Sequence, residues 1–474
     1  MELEGIEISM EDADLLCYGF DASGMEGRAS MVAWPKSAEE VSRLLLYAAS
    51  REMPVVPRGA GTGMTAGAVP SRGGIVLSFE KMDRILQVDT ANLACTVEPG
   101  VVNARLQQEL AAHGFFYPPD PASLHVCTIG GNVAENAGGP RALKYGVTRD
   151  YVMGLEAVLP TGETITTGVR THKGVVGYDL TRLLVGSEGT LAVVTKIRLK
   201  ILPEPPAVTT LLASFADVEG AGRAVSAIIA AKVIPRTLEF MDREAIAAVE
   251  GFKPTGLPVG AEALLLVEMD GHPRAVEEEG TRAIDILSEH GAQVQAALDE
   301  ASRERLWEAR RSVSPALHHL KLRKINEDIV VPRSELPAML SALRELSEES
   351  GVRIVNFGHA GDGNIHVNIM SRPEEEHYRK ALALVPRIFE KVLSLGGTIS
   401  GEHGVGLTKA AYIGMEIPRR ELELMKSIKS LFDPRGILNP GKIFGGDGPT
   451  GGTGPADEGD TTTRLFRAKE DRGR

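Results

Sequence analysis

Two histidines, His359 and His366, flank the turn Gly361-Asp362-Gly363 within residues 358–368. The residues on either side, 352–357 and 365–370, are rich in β-prone side chains. The pattern predicts a hairpin centred between Asp362 and Gly363, with His359 directly opposite His366. Directly paired residues on one face of such a ladder have Cβ atoms ~4.5–5.5 Å apart, so two imidazoles there could close on one divalent ion. Downstream, Gly401-Glu402-His403-Gly404 adds a carboxylate and another histidine between glycines. Two imidazoles and a carboxylate, with coordination positions to spare, make the donor set of a catalytic metal centre for Zn, Mn or Fe. In this reading His359, His366 and Glu402 are ligands. His403, beside a ligand and titrating near neutrality as histidines do, is a general base within reach of a substrate hydroxyl.

A second group could hold a substrate anion. Arginine binds a carboxylate through a two-pronged fork, and Arg310, in Trp307-Glu308-Ala309-Arg310-Arg311, is the candidate. The competing reading is an ordinary charged helix face of Arg303, Arg305, Arg310 and Arg311. His113, His125, His172, His272, His290 and His377 read as surface or core residues, and His318-His319 as part of a solvated helix.

The elements that must position these groups fall into two textures. Residues 37–52 predict a helix, with Ser37 as cap, Glu40 completing a capping box, and Val41, Leu44, Leu45 and Ala48 as the apolar face. Strands follow at 54–57, 75–79 and 93–97, then a helix at 103–113 with Asn103 as cap and Gly114 as stop. Further strands at 152–159, 163–167 and 190–202 lie too close together for repeated βαβ units. Pro203-Glu204-Pro205-Pro206 marks a boundary. Beyond it come strand 208–215, helix 217–231, strand 263–269, helix 273–290 and strand 292–298. A second set has strand 326–331, helix 334–349, strands 352–358 and 364–370, and helix 374–395. This order suggests two split βαβ units, hence an antiparallel, ferredoxin-like sheet covered by helices. Residues 419–432 predict a last helix with Leu422, Met425, Ile428 and Leu431 inward. From Gly445 the chain is Gly, Pro, Asp and Thr with little that is apolar, the composition of a disordered tail.

The glycines, 52 of 474 residues, cluster at 59–74, 130–139 and 396–406. In Pro57-Arg58-Gly59-Ala60-Gly61-Thr62-Gly63, alternating glycines let backbone N–H groups close round a pyrophosphate. The G-x-G-x-x-G fingerprint does not apply, because Val69-Pro70-Ser71 forbids the long helix it requires, and no P-loop lysine is present. Thr128-Ile129-Gly130-Gly131-Asn132, Asn136-Ala137-Gly138-Gly139 and Gly186-Ser187-Glu188-Gly189-Thr190 repeat the polar, glycine-dense theme.

With these motifs the chain resembles the flavoprotein family typified by vanillyl-alcohol oxidase and p-cresol methylhydroxylase. Within it the resemblance is to the branch of glycolate oxidase large subunits and D-lactate dehydrogenases. It runs from about residue 30 to Phe444. The implied α+β fold has a two-part FAD-binding domain of the p-cresol methylhydroxylase type over 1–206 and the antiparallel cap over 207–410. A C-terminal segment, 411–444, returns to the flavin, and 445–474 form the tail. Pro57, Arg58, Gly59, Ala60, Gly61, Thr62 and Gly63 would cradle the FAD pyrophosphate. Pro119, Asp120, Ser123, Gly130, Gly131 and Asn132 would run along the pyrophosphate, ribityl and isoalloxazine. Glu188, Gly189 and Val194 would hold the adenine side, and Asn439 would close the pocket. No histidine stands in 57–67, where some members attach FAD covalently, so non-covalent FAD is expected.

The same resemblance matches His359, His366 and Glu402 to metal ligands and Lys324 to a second substrate-binding position; Ser314 would replace a family hydroxyl contact. The implied reaction is oxidation of a small D-2-hydroxy acid, D-lactate or glycolate, to the 2-oxo acid. D-2-hydroxyglutarate oxidation, an electron-transfer subunit role and a flavin-free metal hydrolase are the rivals.

Net charge is −12, which opposes nucleic-acid binding. No apolar run approaches the ~18 residues of a transmembrane helix. The acidic start Met1-Glu2-Leu3-Glu4 is unlike a signal peptide, and Cys17, Cys95 and Cys127 form no closely spaced pair. A cytoplasmic protein is expected, peripheral to the membrane's inner face only through a partner. The two electrons must leave to oxygen, a quinone, a cytochrome, an electron-transfer flavoprotein or an iron–sulfur partner subunit; the resemblance to glycolate oxidase favours the last, and a homodimer stays open.

Overall fold

A computed structural model describes residues 3–445. The tail expected from composition lies, but for Gly445, outside the described residues.

The N-terminal half holds two larger sheets and a two-stranded ribbon of Phe115–Phe116 with Leu202–Pro203. The first has the spatial order Glu7–Ser9, Met31–Trp34, Ile75–Ser78, Val55–Arg58, and its last three strands are parallel. The helix Ala38–Ser50 links Met31–Trp34 to Val55–Arg58, so one βαβ unit occurs where the spacing argued only against repeats. Ser37 accepts from the Glu40 N–H as expected. The Glu40 carboxylate reaches past the cap and accepts from the Lys36 N–H at 2.7 Å, so the reciprocal capping box is not made. Val41, Leu44, Leu45 and Ala48 are fully buried.

The second sheet is antiparallel, in the order Ile85–Asp89, Ala94–Val97, Val193–Lys200, Val152–Val158, Thr164–Gly168. The helix Asn103–Ala111 packs on it and is capped by Val102, not Asn103. Asn103 lies inside the first turn, its amide donating to the Pro119 carbonyl at 3.2 Å.

Residues 207–371 build one seven-stranded sheet, antiparallel throughout. Its order is Gln293–Ala296, Ala207–Phe215, Ala263–Gly271, Thr237–Asp242, Arg353–His359, Asn364–Ser371, Arg323–Val330. Helices cover both faces. One face packs on Val218–Ala230, Pro273–Glu289, Leu336–Ser350 and Leu384–Ser394, the other on Arg243–Phe252 and Val313–His319. The antiparallel covered sheet is as expected. The strand Thr237–Asp242 is not, yet it joins the two halves into one sheet.

The single helix expected over 374–395 is two, Glu375–Leu382 and Leu384–Ser394. Pro386 has no N–H for the fourth residue back, and its ring crowds the Leu382 carbonyl. In the helix Arg419–Phe432, Ile428 and Phe432 pack against the second sheet, while Leu431, expected inward, is 79% exposed. Phe432 takes the place the pattern gave Leu431. The chain then returns to the first sheet. The Val55 N–H donates to Ile437 O, and the Asn439 N–H to Val55 O, each at 2.7 Å.

Candidate functional site

The hairpin is made by Arg353–His359 and Asn364–Ser371, but its register differs from the expected one by two residues. Phe357 lies opposite His366 and Val355 opposite Asn368. His359 is therefore a diagonal neighbour of His366. An even offset keeps a side chain on its face, so the rings still meet, centroids 5.2 Å apart and nearly perpendicular. The turn needs Gly363: its φ is +87°, and a Cβ there would collide with the Val331 carbonyl. His359 is instead paired with Glu239 of the unexpected strand.

Asp328 organises the other half. It stands directly opposite His366 on Arg323–Val330 and its side chain is fully buried. One carboxylate oxygen accepts from three consecutive N–H groups, Gly401 at 2.8 Å, Glu402 at 2.7 Å and His403 at 2.9 Å. The other accepts from the Asn364 amide at 2.6 Å. The loop is thus folded round a carboxylate, and it presents Glu402 and His403 to the hairpin. Glu402 Oε1 lies 3.4 Å from His359 Nε2 and 3.6 Å from His366 Nε2. One donor atom from each of His359, His366 and Glu402 falls within a 4.8 Å span, two nitrogens and an oxygen that suit a Zn, Mn or Fe ion. The His403 ring stacks on His366, 5.3 Å away and 11° from parallel.

Electrostatics follow from burial and mutual charge. Burial raises the Glu402 carboxyl, but His359 and His366 outweigh it and bring its pKa to about 2. Asp328 is likewise pushed up by burial and then held well below the carboxylate range by His403, His366 and Lys409. Burial lowers His359, yet Glu239 and Glu402 leave it well above the usual histidine value. The expectation that His403 titrates near neutrality is corrected: burial drives it down to about 4. It is neutral at pH 7 and offers a lone pair.

Arg310 is no member of an exposed face. Its side chain is 9% exposed and pairs with Glu239 at 2.6 Å, with the guanidinium 4.9 Å from the Phe357 ring. Arg303 and Arg311 pair with Glu300 and Glu304 at the surface. Lys324 is half-buried opposite Met370, on the His366 side of the sheet, and burial lowers its pKa. Ser314 lies in the helix Val313–His319.

The glycine loops of the first half come together. Pro57 and Arg58 end a strand, and a Cβ at Gly59 would strike Thr128, so the 59–63 loop rests on the start of helix Ile129–Glu135, which holds Gly130, Gly131 and Asn132. The Arg58 guanidinium turns back to Phe20 O at 2.6 Å, away from the backbone of Ala60, Thr62 and Gly63. Pro119 accepts from Asn103, and Ser123 closes a turn with Cys127. Asp120 is engaged by Arg141 at 3.0 Å, and burial lifts its pKa to about 6. The Glu188 carboxylate accepts from the Val405 and Gly406 N–H groups at 2.7 Å, tying the 401–406 loop to the first half. Gly189 follows it, and Val194 packs in the second sheet. Asn439 donates to Gly67 O at 3.0 Å and Glu188 O at 2.8 Å.

Around these loops Ser78 Oγ, Asn132 Nδ2, Glu135 Oε2 and Asn439 Oδ1 are buried without a protein partner. Buried polar atoms are normally satisfied, so this set fits a polar cofactor such as FAD. The two sites adjoin: a Cβ at Gly138 would lie 3.0 Å from Glu402 Oε2.

Sequence reading missed Asp328 and Glu239. Each is a carboxylate beside strongly apolar residues in a β-prone run, Asp328 before Ile329-Val330 and Glu239 between Leu238 and Phe240. That flanking was the available signal.

Residues 204–443 match the model of the FAD-linked oxidase C-terminal domain, and residues 29–168 that of an FAD-binding domain. The chain is similar to "Glycolate oxidase subunit GlcD" of Bacillus subtilis (strain 168), 46% identical across 92% of this chain and 93% of that protein. It is also similar to the D-lactate dehydrogenase of Anaerostipes hadrus, 36% identical across 88% of this chain and 90% of the relative. Among solved structures, p-cresol methylhydroxylase with substrate bound superposes with a TM-score of 0.77. It is 15% identical and covers 92% of this chain and 94% of its own, a likeness of fold.

Proposed function

We propose, because the chain belongs to the FAD-linked oxidases, that its site oxidises a small 2-hydroxy acid, glycolate or D-lactate, to the 2-oxo acid. The observation that carries this is the convergence of His359, His366, Glu402 and His403 beside Gly138. Bound FAD supplies the two-electron acceptor for such an oxidation, and a metal held by His359, His366 and Glu402 supplies a Lewis acid beside it. His403 removes the hydroxyl proton at Nε2, which lies 4.0 Å from Glu402 Oε1 on the metal side. Its lowered pKa keeps the ring neutral at pH 7 and so able to accept a proton. Arg310 and Lys324 are the cations for the substrate carboxylate. In support, Arg310 Nε is buried and lacks a protein partner although Glu239 holds another part of the fork.

Electrons leave through a second subunit, an iron–sulfur protein by preference. The relative from Bacillus subtilis is named as a subunit, and the three cysteines here are free, two of them buried. No helix among the described residues is long and apolar enough to cross a membrane.

The test is anaerobic titration of the flavin with glycolate, D-lactate and D-2-hydroxyglutarate, with metal content measured on the same sample. Bleaching by glycolate or D-lactate is expected. Bleaching by D-2-hydroxyglutarate alone would move the assignment to that acid, and no bleaching of metal-replete protein would defeat the dehydrogenase reading. FAD is held non-covalently. Acid precipitation should therefore give a colourless pellet and a yellow supernatant, and a yellow pellet would refute this.

A further inference from the structure

Glu239 touches both His359 and Arg310. It sits at the centre of Thr237–Asp242, directly opposite His359, with its side chain fully buried. Oε1 lies 2.7 Å from His359 Nδ1, and Oε2 lies 2.6 Å from an Arg310 terminal nitrogen. A carboxylate at that distance fixes the ring: it holds a proton on Nδ1 and leaves Nε2 as the nitrogen that faces the site. Nε2 is the atom aimed at Glu402. His366 has no matching anchor, since its Nδ1 is 3.5 Å from Asp328 and makes no hydrogen bond. Of the two imidazoles, only His359 has its orientation imposed by a short contact.

We propose that Glu239 is a positioning residue for the metal centre: its carboxylate holds His359 in the orientation that presents Nε2, and its second oxygen holds Arg310 in place. This inference rests on the metal reading given under the proposed function. An orienting carboxylate behind a ligand histidine typically contributes 10- to 100-fold to metal affinity. In Glu239→Gln one amide atom can still accept from His359, but its NH2 then faces the Arg310 guanidinium, donor against donor. Alternatively the amide flips and confronts Nδ1–H.

The experiment measures Zn2+ affinity of the FAD-loaded full chain by competition with a chromogenic chelator. Glu239→Gln is expected to bind Zn2+ about 10- to 100-fold more weakly with FAD content retained. Glu268→Gln is the structural control, a buried carboxylate on the adjacent strand that holds Thr210 and Trp307 and does not touch His359. Its Zn2+ affinity should match the wild type. Equal affinity in Glu239→Gln and wild type overturns the inference, as does an equal loss in both variants. A wild-type protein that holds no Zn2+, Mn2+ or Fe2+ defeats the metal reading itself. Should Glu239→Gln fail to retain FAD, the double variant Glu239→Gln, Arg310→Met removes both halves of the ion pair and is compared with Arg310→Met. The same weakening is expected in the double variant alone, and its absence overturns the inference.

Discussion

Replacing Asp328 by asparagine should slow anaerobic flavin reduction by about 10²–10⁴-fold, the range a positioned base contributes, and should also lower metal content. Four donors converge on this carboxylate: the N–H groups of Gly401, Glu402 and His403, and the Asn364 amide. Both oxygens must accept. Asparagine supplies one acceptor and turns an NH2 toward either the three N–H groups or the Asn364 amide. Each buried donor left unmet costs about 1–3 kcal/mol, and the loop can recover that only by moving into contact with water. Glu402 and His403 would move with it. Stopped-flow reduction with the best substrate, alongside metal analysis, checks this. A variant that reduces its flavin at the wild-type rate would show that the loop holds its shape without Asp328.

His403→Ala tests the chemistry with the scaffold left in place. The backbone N–H of residue 403 still reaches Asp328, so Glu402 stays and the metal content should be unchanged. The flavin reduction rate should fall about 10²–10⁴-fold, because the proposed base for the hydroxyl proton is gone, while the substrate concentration for half-maximal reduction changes little. The two variants are therefore separable: Asp328→Asn loses both rate and metal, His403→Ala loses rate alone. An unchanged rate in His403→Ala would remove it as the base. A parallel loss of metal would mean that His403, stacked on His366, supports the ligands instead.

Much of this architecture is legible in the residues. β-prone runs and turn signals locate six of the seven strands of the 207–371 sheet. The His-turn-His segment and Glu402-His403 announce a donor set, and the glycine runs announce a cofactor loop. These signals are local: a turn, an alternation or a close backbone approach restricts residue type at the position itself. Three things depended on contacts between distant segments. The hairpin register is held by the pairing of His359 with Glu239, 120 residues away in the chain. The roles of Asp328 and Glu239 are invisible in a single strand, where a carboxylate on the buried face reads like one facing solvent until its partners arrive from residues 401–403, 359 and 310. The lowered pKa of His403 follows from burial that only the assembled loop, hairpin and first half create. The sequence by itself determined which groups could do the chemistry; the tertiary structure decided which carboxylates hold them in place, because burial and pairing are properties of neighbours far apart in the chain.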